Sequence, residues 1–595
     1  MPSYRAPLED MQFILHDCLN ITENYAKLGY EDAADPSLVN AITEEAAKFA
    51  AEVLSPINHS GDLEACQLSD GKVTTPTGFK QAYQQYCEAG WSALAFSADF
   101  GGQGLPHSLS VVTSEMNASA NASWSMYPGL THGAINAISH HGTSDQKAYY
   151  LPKLIGGQWT GTMCLTEPHC GSDLGLLKTR AIPQSDGSYQ ITGTKIFISA
   201  GEHDLSSNII HLVLARLPDA PEGSHGISLF VVPKILSPQS DENTGDGAHQ
   251  NSDNKVTCSA IEHKMGIKAS STCVINFEDS TGYLIGEVNK GLNCMFTMMN
   301  TARLATGVQG YALAELSMQA SLAYAKDRLQ MRSLSGAKKP EQAADPIIVH
   351  PDVKRMLFTQ KALVEGCRSL AYYTALLVDK VEKSENADDE AHSRLSLLTP
   401  ICKAFMSEMG FECTNHAVQI LGGHGYITES ELEQQVRDAR ITMIYEGTNG
   451  IQALDLLGRK ILRDKGAALA SWVETIKQHA DSVDASLSSF ADELKSCCDQ
   501  WLLLAQQIAK QAANDMDEVG ASAFDFLMYS GYVSLAHFLL EQANVAKKSD
   551  RSEVFILAKQ QTVNFYFKRI LPRISTHKAL ILSGNESLQC CEFEI

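Results

Sequence analysis

Apolar residues recur at helical spacing early in the chain. Leu38, Ile42, Ala46, Phe49 and Val53 fall three or four apart within Ser37–Ile57, which predicts a helix. The whole stretch to about residue 150 reads as helices, with Gly101–Pro106 (GGQGLP) as a glycine-rich loop between them. The pattern then changes. Trp159–Leu165, Ser188–Ser199, Ile209–Leu217, Gly226–Val232 and Thr272–Phe277 are strand-like runs, and Asp186–Gly187 is a hairpin turn signal between two strands. Ser237–Asn254 is polar and aperiodic, which predicts a mobile surface insertion. Long helices return at Gly291. Leu292, Phe296, Met299 and Arg303 share a stripe. A second helix over about Leu397–Leu421 places Ile401, Phe405, Met409, Cys413 and Ala417 on one face. Thr448 or Asn449 can cap a third helix reaching about Arg463. Ser333–His350 and Ser384–Ser393 read as loops, and everything after about residue 465 as an appended helical domain.

The expected fold class is therefore mainly α with a central β-domain, not the strand–helix alternation of a doubly wound sheet. The expected domains are a helical one over 1–157, a β-domain over 158–282, a helical bundle over 283–463 and an extra helical domain over 464–595.

Composition changes this picture little. The 595 residues are 44% hydrophobic and 19% charged, which is ordinary for globular chains. A formal net charge of −22 argues against a nucleic-acid partner, which needs clustered Lys and Arg, and against a polybasic membrane anchor. No run of 18 uncharged apolar residues predicts a membrane span, and the N-terminus lacks the pattern of a signal peptide. The 15 cysteines include two adjacent pairs, Cys497–Cys498 and Cys590–Cys591, but no C-x-x-C, so neither a disulfide framework nor a zinc site is expected. Reduced thiols in a cytoplasmic protein fit this usage.

Several chemistries lose their signatures. There is no G-x-G-x-x-G at a strand–helix junction, no G-x-x-x-x-G-K-[ST], no H-E-x-x-H and no G-x-S-x-G. Four segments remain. In IYEGTNGIQ (444–452) Glu446 precedes a glycine and a capping Thr; it reads either as a general base held at a helix N-terminus or as an ordinary capping-region acid. Gly447 lets a ligand approach the backbone. GTMCLTEPHCGSDLGLLK (161–178) runs from a strand into a Gly/Ser/Asp loop. Its Thr166 and Ser172 suit a heterocycle or a phosphate. IFISA (196–200) puts Phe197 and Ser199 on one strand face, a stacking platform or simply part of a hairpin. Arg303 lies on an apolar stripe and must be ion-paired or ligand-bound. Arg328 and Arg332 flank Gln330 at a helix end and read equally as surface charge, while LGGHGY (421–426) reads as a helix C-cap.

Taken together, CLTEPHCGSD, KIFIS, NTARLATGVQG, DRLQMRSLSG, QILGGHGY and VRDARITMIYEGTNGIQ resemble the acyl-CoA dehydrogenase family over about Asp35–Leu462. The resemblance implies a helical N-terminal domain, a β-barrel-like middle domain and a C-terminal four-helix bundle, with FAD as cofactor. It implies that Glu446 is the base. Leu165, Thr166, Phe197 and Ser199 would contact the flavin, with Ser172 near its pyrophosphate and the acyl-CoA. Arg328, Gln330, Gln419, Gly422 and Gly423 would bind FAD across a subunit interface, and Thr448 within the subunit. Asn300, Arg303 and Gly447 would lie on the substrate side. It further implies an electron-transferring flavoprotein as acceptor and a homodimer. Some members carry the base on the earlier helix, where this chain has Ala302. Gly450 replaces a frequent Gln that contacts FAD, Met163 a frequent aromatic, and Ser97 a frequent Pro.

The extension makes the chain similar to a roughly 600-residue bacterial branch that includes 3-methylmercaptopropionyl-CoA dehydrogenases. A DNA-associated, alkylation-response relative of the same fold is the alternative from a different class. Such relatives carry a basic C-terminal domain, whereas residues 461–595 here hold 13 Lys and Arg against 17 Asp and Glu.

Overall fold

The computed structural model describes residues 4–236, 252–384 and 389–589. They gather into two compact units: Met1–Ala51, Pro106–Ala120 and Arg303–Ile595 form the first, Glu52–Leu105 and Asn121–Ala302 the second.

The second unit is built on a seven-stranded sheet. Its strands are β1 Trp159–Cys164, β2 Arg180–Pro183, β3 Tyr189–Ser199, β4 Asn208–Arg216, β5 Ile227–Pro233, β6 Val256–Ile261 and β7 Thr272–Ile285. The order is β6-β7-β3-β2-β4-β1, and β5 pairs with both β7 and β4, so five strands close into a ring. Strands β4 and β5 lie within the ring and are buried along nearly their whole length, which fits their mostly apolar sequences. Ile191, Ile198, Val213, Phe230, Val232, Ile275 and Phe277 make the core. The Asp186–Gly187 turn joins β2 to β3, with Gly187 at φ 84° and Asp186 Oδ1 accepting from Ser188 N at 3.0 Å.

The structure extends the last predicted strand by eight residues. Polar Glu278, Asp279 and Ser280 hide the continuation in the sequence, because the strand shifts register there and Asp279 takes φ 58°. Strands β2 and β6, and the hairpin of Gln67–Ser69 with Lys72–Thr74, were too short or too polar to signal themselves. Most of the predicted insertion, residues 237–251, lies outside the described residues, as do Cys590 and Cys591. The stripe Leu292, Phe296 and Met299 is only half-buried, while Cys294, Met295 and Met298 are buried. Asn293, Thr297, Asn300 and Thr301 share the opposite, polar face of this segment, so the buried stripe runs along Cys294, Met295 and Met298 rather than along the predicted positions.

The first unit is helical: α1 His107–Ala120, α2 from Arg303 to Asp327 (the C-terminal part of Gly291–Asp327), α3 Pro351–Lys383, α4 Asp389–Leu421, α5 Asn449–Leu454, α6 Ala467–Asp481, α7 Ser488–Ala512, α8 Asp517–Lys548, α9 Glu553–Phe565 and α10 Ile574–Leu582. Of the predicted loop 384–393, residues 385–388 are not described, and 389–393 are helical. Helices α2 and α4 touch backbone to backbone. A Cβ on Gly410 would sit 2.1 Å from Gly310 O, so only glycine fits this crossing. The predicted face of α4, from Ile401 to Ala417, is buried throughout.

A buried charge cluster joins distant segments. Arg368 on α3 donates to Glu115 Oε1 (2.8 Å) on α1, Glu315 Oε2 (2.6 Å) on α2 and Asp10 Oδ2 (2.6 Å). Tyr311 and Tyr372 hydroxyls donate to the other Glu115 oxygen. Lys559 on α9 bonds Asp10, Glu365 and Gln542. The extension is thus part of this unit's core rather than a tethered module, and Arg573 adds a two-pronged pair with Glu412 on α4. Helix α8 is long and apolar enough to cross a membrane, but its most apolar window is 89% buried within the fold, as in a core helix.

Removing Arg368 strands carboxylates in the interior. Arg368→Met should lower the stability of the full chain by about 3–5 kcal/mol, read as a shift in the denaturant midpoint; an unchanged midpoint would refute the cluster's structural role.

Candidate active site

The turn 444–448 leads into α5. Thr448 is the N-cap, its hydroxyl accepting from Ile451 N at 3.3 Å. Glu446 (φ 57°) and Gly447 (φ 84°) both adopt left-handed backbone, which is unusual for a glutamate. Two contacts hold this geometry. The Tyr445 hydroxyl donates to the Gln309 side chain on α2, and Gln452, wholly buried, points its amide at the Glu446 and Gly447 carbonyls, 3.4 and 3.5 Å away. A Cβ on Gly447 would lie 2.6 Å from Gln452 Nε2, so this glycine is required by both conformation and space.

The capping reading of Glu446 falls away, because Thr448 fills that place. No amide meets Glu446 Oε2, which is shut off from water and has no hydrogen-bond partner among the described residues. Burial pushes its carboxyl up to about 7, against the pull of Lys403 and, more weakly, Arg303. Lys403 on α4 is completely buried, and burial brings its ammonium down to about 7. Arg303 on α2 is buried and paired with Asp455 (3.7 Å), the ion-paired form of its two readings. Among the described residues neither cation forms an ion pair with Glu446. The carboxylate therefore stays available to an incoming group.

In the second unit, Leu165 and Thr166 follow β1 directly. Leu165 O accepts from Lys195 Nζ at 3.0 Å, and Thr166 O from Ile196 N at 2.9 Å, which joins this loop to β3. Glu167 is buried and fully engaged, accepting from Lys195 Nζ (2.9 Å), Lys178 N (2.7 Å), and Thr179 N and Oγ1. His169 and Cys170 lie beside it; Glu167 Oε1 already accepts three hydrogen bonds and Oε2 the Lys178 amide. Ser172 is exposed in the same loop. Phe197 and Ser199 do share the outer face of β3, with Ile198 turned into the core. A bulge sets Ile196 and Phe197 opposite the single Val274 and gives Phe197 φ 57° and 59% exposure. An exposed aromatic on the same strand face as the Ser199 hydroxyl suits a flat heterocycle.

Arg328, Gln330, Gln419, Gly422 and Gly423 are all exposed, and nothing lies within 4 Å of where a Cβ on either glycine would project. The loop after α2 is organised by Asp345. It accepts from Ser333, Lys338 and Lys339 amides and from Arg332, and the amides hold its carboxyl down at about 2. Arg332 is therefore a structural residue, while Arg328 is free to face outward. Ile420 and Leu421 pack with Ala325 and Tyr324, which brings the Gln419–Gly423 corner next to Arg328 and Gln330. Asn300 is exposed on its helix.

Sequence reasoning missed Lys403, Asn449, Gln452 and Gln309 as neighbours of Glu446, and Lys195 as partner of Glu167. A lone lysine inside the apolar run ICKAFM was the available signal for Lys403.

Models of the acyl-CoA dehydrogenase N-terminal, middle and C-terminal domains match residues 39–158, 162–280 and 331–462, and an acetyl-CoA dehydrogenase C-terminal-like model matches 472–590. The chain belongs to the acyl-CoA dehydrogenase family of flavin-dependent oxidoreductases. A 3-methylmercaptopropionyl-CoA dehydrogenase of Ruegeria pomeroyi is 41% identical to it over 98% of this chain and 99% of the relative. The broad-specificity linear acyl-CoA dehydrogenase FadE5 of Mycobacterium tuberculosis is 33% identical, over 98% of each. An acyl-CoA dehydrogenase of Bacillus anthracis, solved with FAD, superposes with TM-score 0.74 over 92% of this chain and 88% of that one; at 22% identity it bears on the fold alone.

Gly447→Ala should force Gln452 away and strain the Glu446 turn by about 1–3 kcal/mol. We expect turnover to fall about tenfold or more with cofactor content retained; wild-type turnover would contradict the proposed tightness of this turn.

Proposed function

We propose that the protein oxidises an acyl-CoA thioester to its trans-2-enoyl form, with Glu446 removing the α-proton. The observation that carries this reading is the dry, unpartnered carboxylate oxygen of Glu446, pushed up to about 7. A base poised near neutrality is what general-base chemistry at physiological pH requires. In the second unit, exposed Phe197 with Leu165, Thr166 and Ser199 suits the flavin ring and Ser172 its pyrophosphate, and the resemblance adds Thr448 as a contact within the subunit. FAD, when bound, supplies the acceptor for the β-hydride.

The thioester α-proton is a weak acid, so the developing enolate oxygen needs donors. The Glu446 backbone N–H has no acceptor among the described residues and is available for that role. Gly447 keeps the approach open, and the charges of Arg303 and Lys403 favour the ionised base. Asn300 and Arg303 are assigned to the substrate side.

We assign the exposed Arg328, Gln330, Gln419, Gly422 and Gly423 to FAD of a second copy, which makes the working form a homodimer. An electron-transferring flavoprotein is the proposed acceptor. Among substrates, 3-methylmercaptopropionyl-CoA has specific support from the 41% identity to the Ruegeria enzyme; linear fatty acyl-CoAs are the other reading. The DNA-associated alternative has none, given the acidic extension.

Anaerobic bleaching of bound flavin by a panel of acyl-CoAs tests both activity and substrate. Glu446→Gln should keep the yellow cofactor and lose bleaching by at least about a thousandfold; bleaching at the wild-type rate would overturn the base assignment. Because the base must be ionised to act, the rate of bleaching should rise with pH through about 7 and level off above it. A rate independent of pH between 5 and 9, on the order of two units either side, would count against a buried carboxylate as base.

A further inference from the structure

We propose that Lys403 is the positioning residue for Glu446: it fixes the Glu446 turn on α4 through Asn449 and supplies the buried positive charge that lets the carboxylate ionise. This rests on the reading of Glu446 as base and adds a residue to it.

Lys403 lies in the interior of α4 with no exposed surface. Its Nζ donates to Asn449 Oδ1 at 2.9 Å, and that is its one hydrogen bond among the described residues. Asn449 is the first residue of α5, three positions after Glu446. Its Nδ2 donates to Glu408 Oε1 at 2.8 Å and Ser407 Oγ at 3.0 Å. Lys403 and Ser407 stack one turn apart on α4, with Glu408 next along the helix. The start of α5, and with it the turn that carries Glu446, is therefore bolted to α4 at three points.

The second half of the argument is a pair of complementary deficits. A buried ammonium has three donors, and only one is used here. A buried carboxylate needs donors, and Glu446 Oε2 has none. The two groups do not form an ion pair, yet Lys403 exerts the largest charge effect on Glu446, and Glu446 the largest on Lys403. A direct bridge would hold Glu446 ionised but occupied. Separation keeps the electrostatic help and leaves the oxygen free for a substrate proton. When Glu446 takes that proton, Lys403 loses the anion that offset its burial, so the two charges rise and fall together.

Other charged groups around Glu446 do not substitute for Lys403. Arg303 on α2 is already paired with Asp455, which Arg459 also approaches at 3.6 Å. Glu408 on α4 faces Asn449. Tyr445 is held neutral by burial, with Asp438 nearby adding to that. Lys403 is the one buried cation near Glu446 that forms no ion pair among the described residues.

The test uses flavin-loaded full-length enzyme. Lys403→Met, Lys403→Arg and Glu446→Gln are compared with wild type in two readouts. The first is the pH profile of anaerobic bleaching. The second, independent of turnover, is an infrared titration of the protonated-carboxyl stretch that Glu446→Gln deletes. With its cation gone, the Glu446 carboxyl should titrate about one pH unit higher or more in Lys403→Met. Bleaching at neutral pH should then fall about tenfold, with recovery at higher pH and unchanged flavin content. Lys403→Arg should restore part of the shift. If Lys403→Met is less stable but titrates as wild type, the lysine is only structural and the inference fails. If Glu446→Gln still bleaches flavin, the base assignment itself fails, whatever Lys403 does.

Discussion

One guanidinium organises the helical unit. Arg368 answers Asp10, Glu115 and Glu315 at once, and these reside on the N-terminal segment, α1 and α2, while Arg368 is on α3. Desolvating these charges is unfavourable unless every one is met, so the cluster opposes any shift of these helices that would part them. This holds α2 in place. From α2, the glycine crossing at Gly310 and Gly410 sets α4, and α2 and α4 present Arg303 and Lys403 to Glu446. The site's electrostatics therefore descend from a cluster that takes no part in the chemistry.

The two buried charge systems differ in one respect that separates structure from function. Around Glu115, one oxygen accepts from Arg368 and the other from two tyrosines; each lone pair has a use, and the group has nothing left to offer a ligand. Around Glu446 the opposite holds. Its cations stand off and Oε2 is unpartnered. Both carboxyls are raised by burial, so a shifted proton affinity does not by itself mark a catalytic acid. The distinguishing feature is the unmet hydrogen-bonding capacity.

Much of this was legible in the sequence, and the remainder shares a cause. The strand-rich middle, the Asp186–Gly187 turn, the buried face of α4 and the Thr448 cap follow from local spacing, because each depends on residues within a few positions of one another. What escaped depends on contacts between distant segments. Lys403 meets Asn449 across 46 positions, and Arg368 meets Asp10 across 358. The bulge that turns Phe197 outward is a matter of register with Val274, which no property of IFISA announces. The reading of Glu446 looked only to the nearest helix in sequence, whereas the fold also brings the charges of Lys403 and Arg303 to it from two other helices.

The residues assigned to cofactor and substrate divide by exposure in a way that follows from their tasks. Arg328, Gln330, Gln419, Gly422, Gly423, Ser172 and Phe197 are open to solvent in the single chain. Groups that grip phosphates or ring edges keep their charge or hydrogen bonds in water and lose little by waiting there. A base for a weakly acidic carbon has the reverse requirement, because a hydrated carboxylate is too weak to compete for the proton. Glu446 is half-buried with Oε2 held out of water, and a desolvated carboxylate with no counter-charge would simply stay protonated. Holding it near neutrality takes a second buried charge close enough to be felt and too far to bind. That places a severe demand on side-chain length and helix spacing, which the fully buried Lys403 meets from α4, beside Ser407 and Asn449.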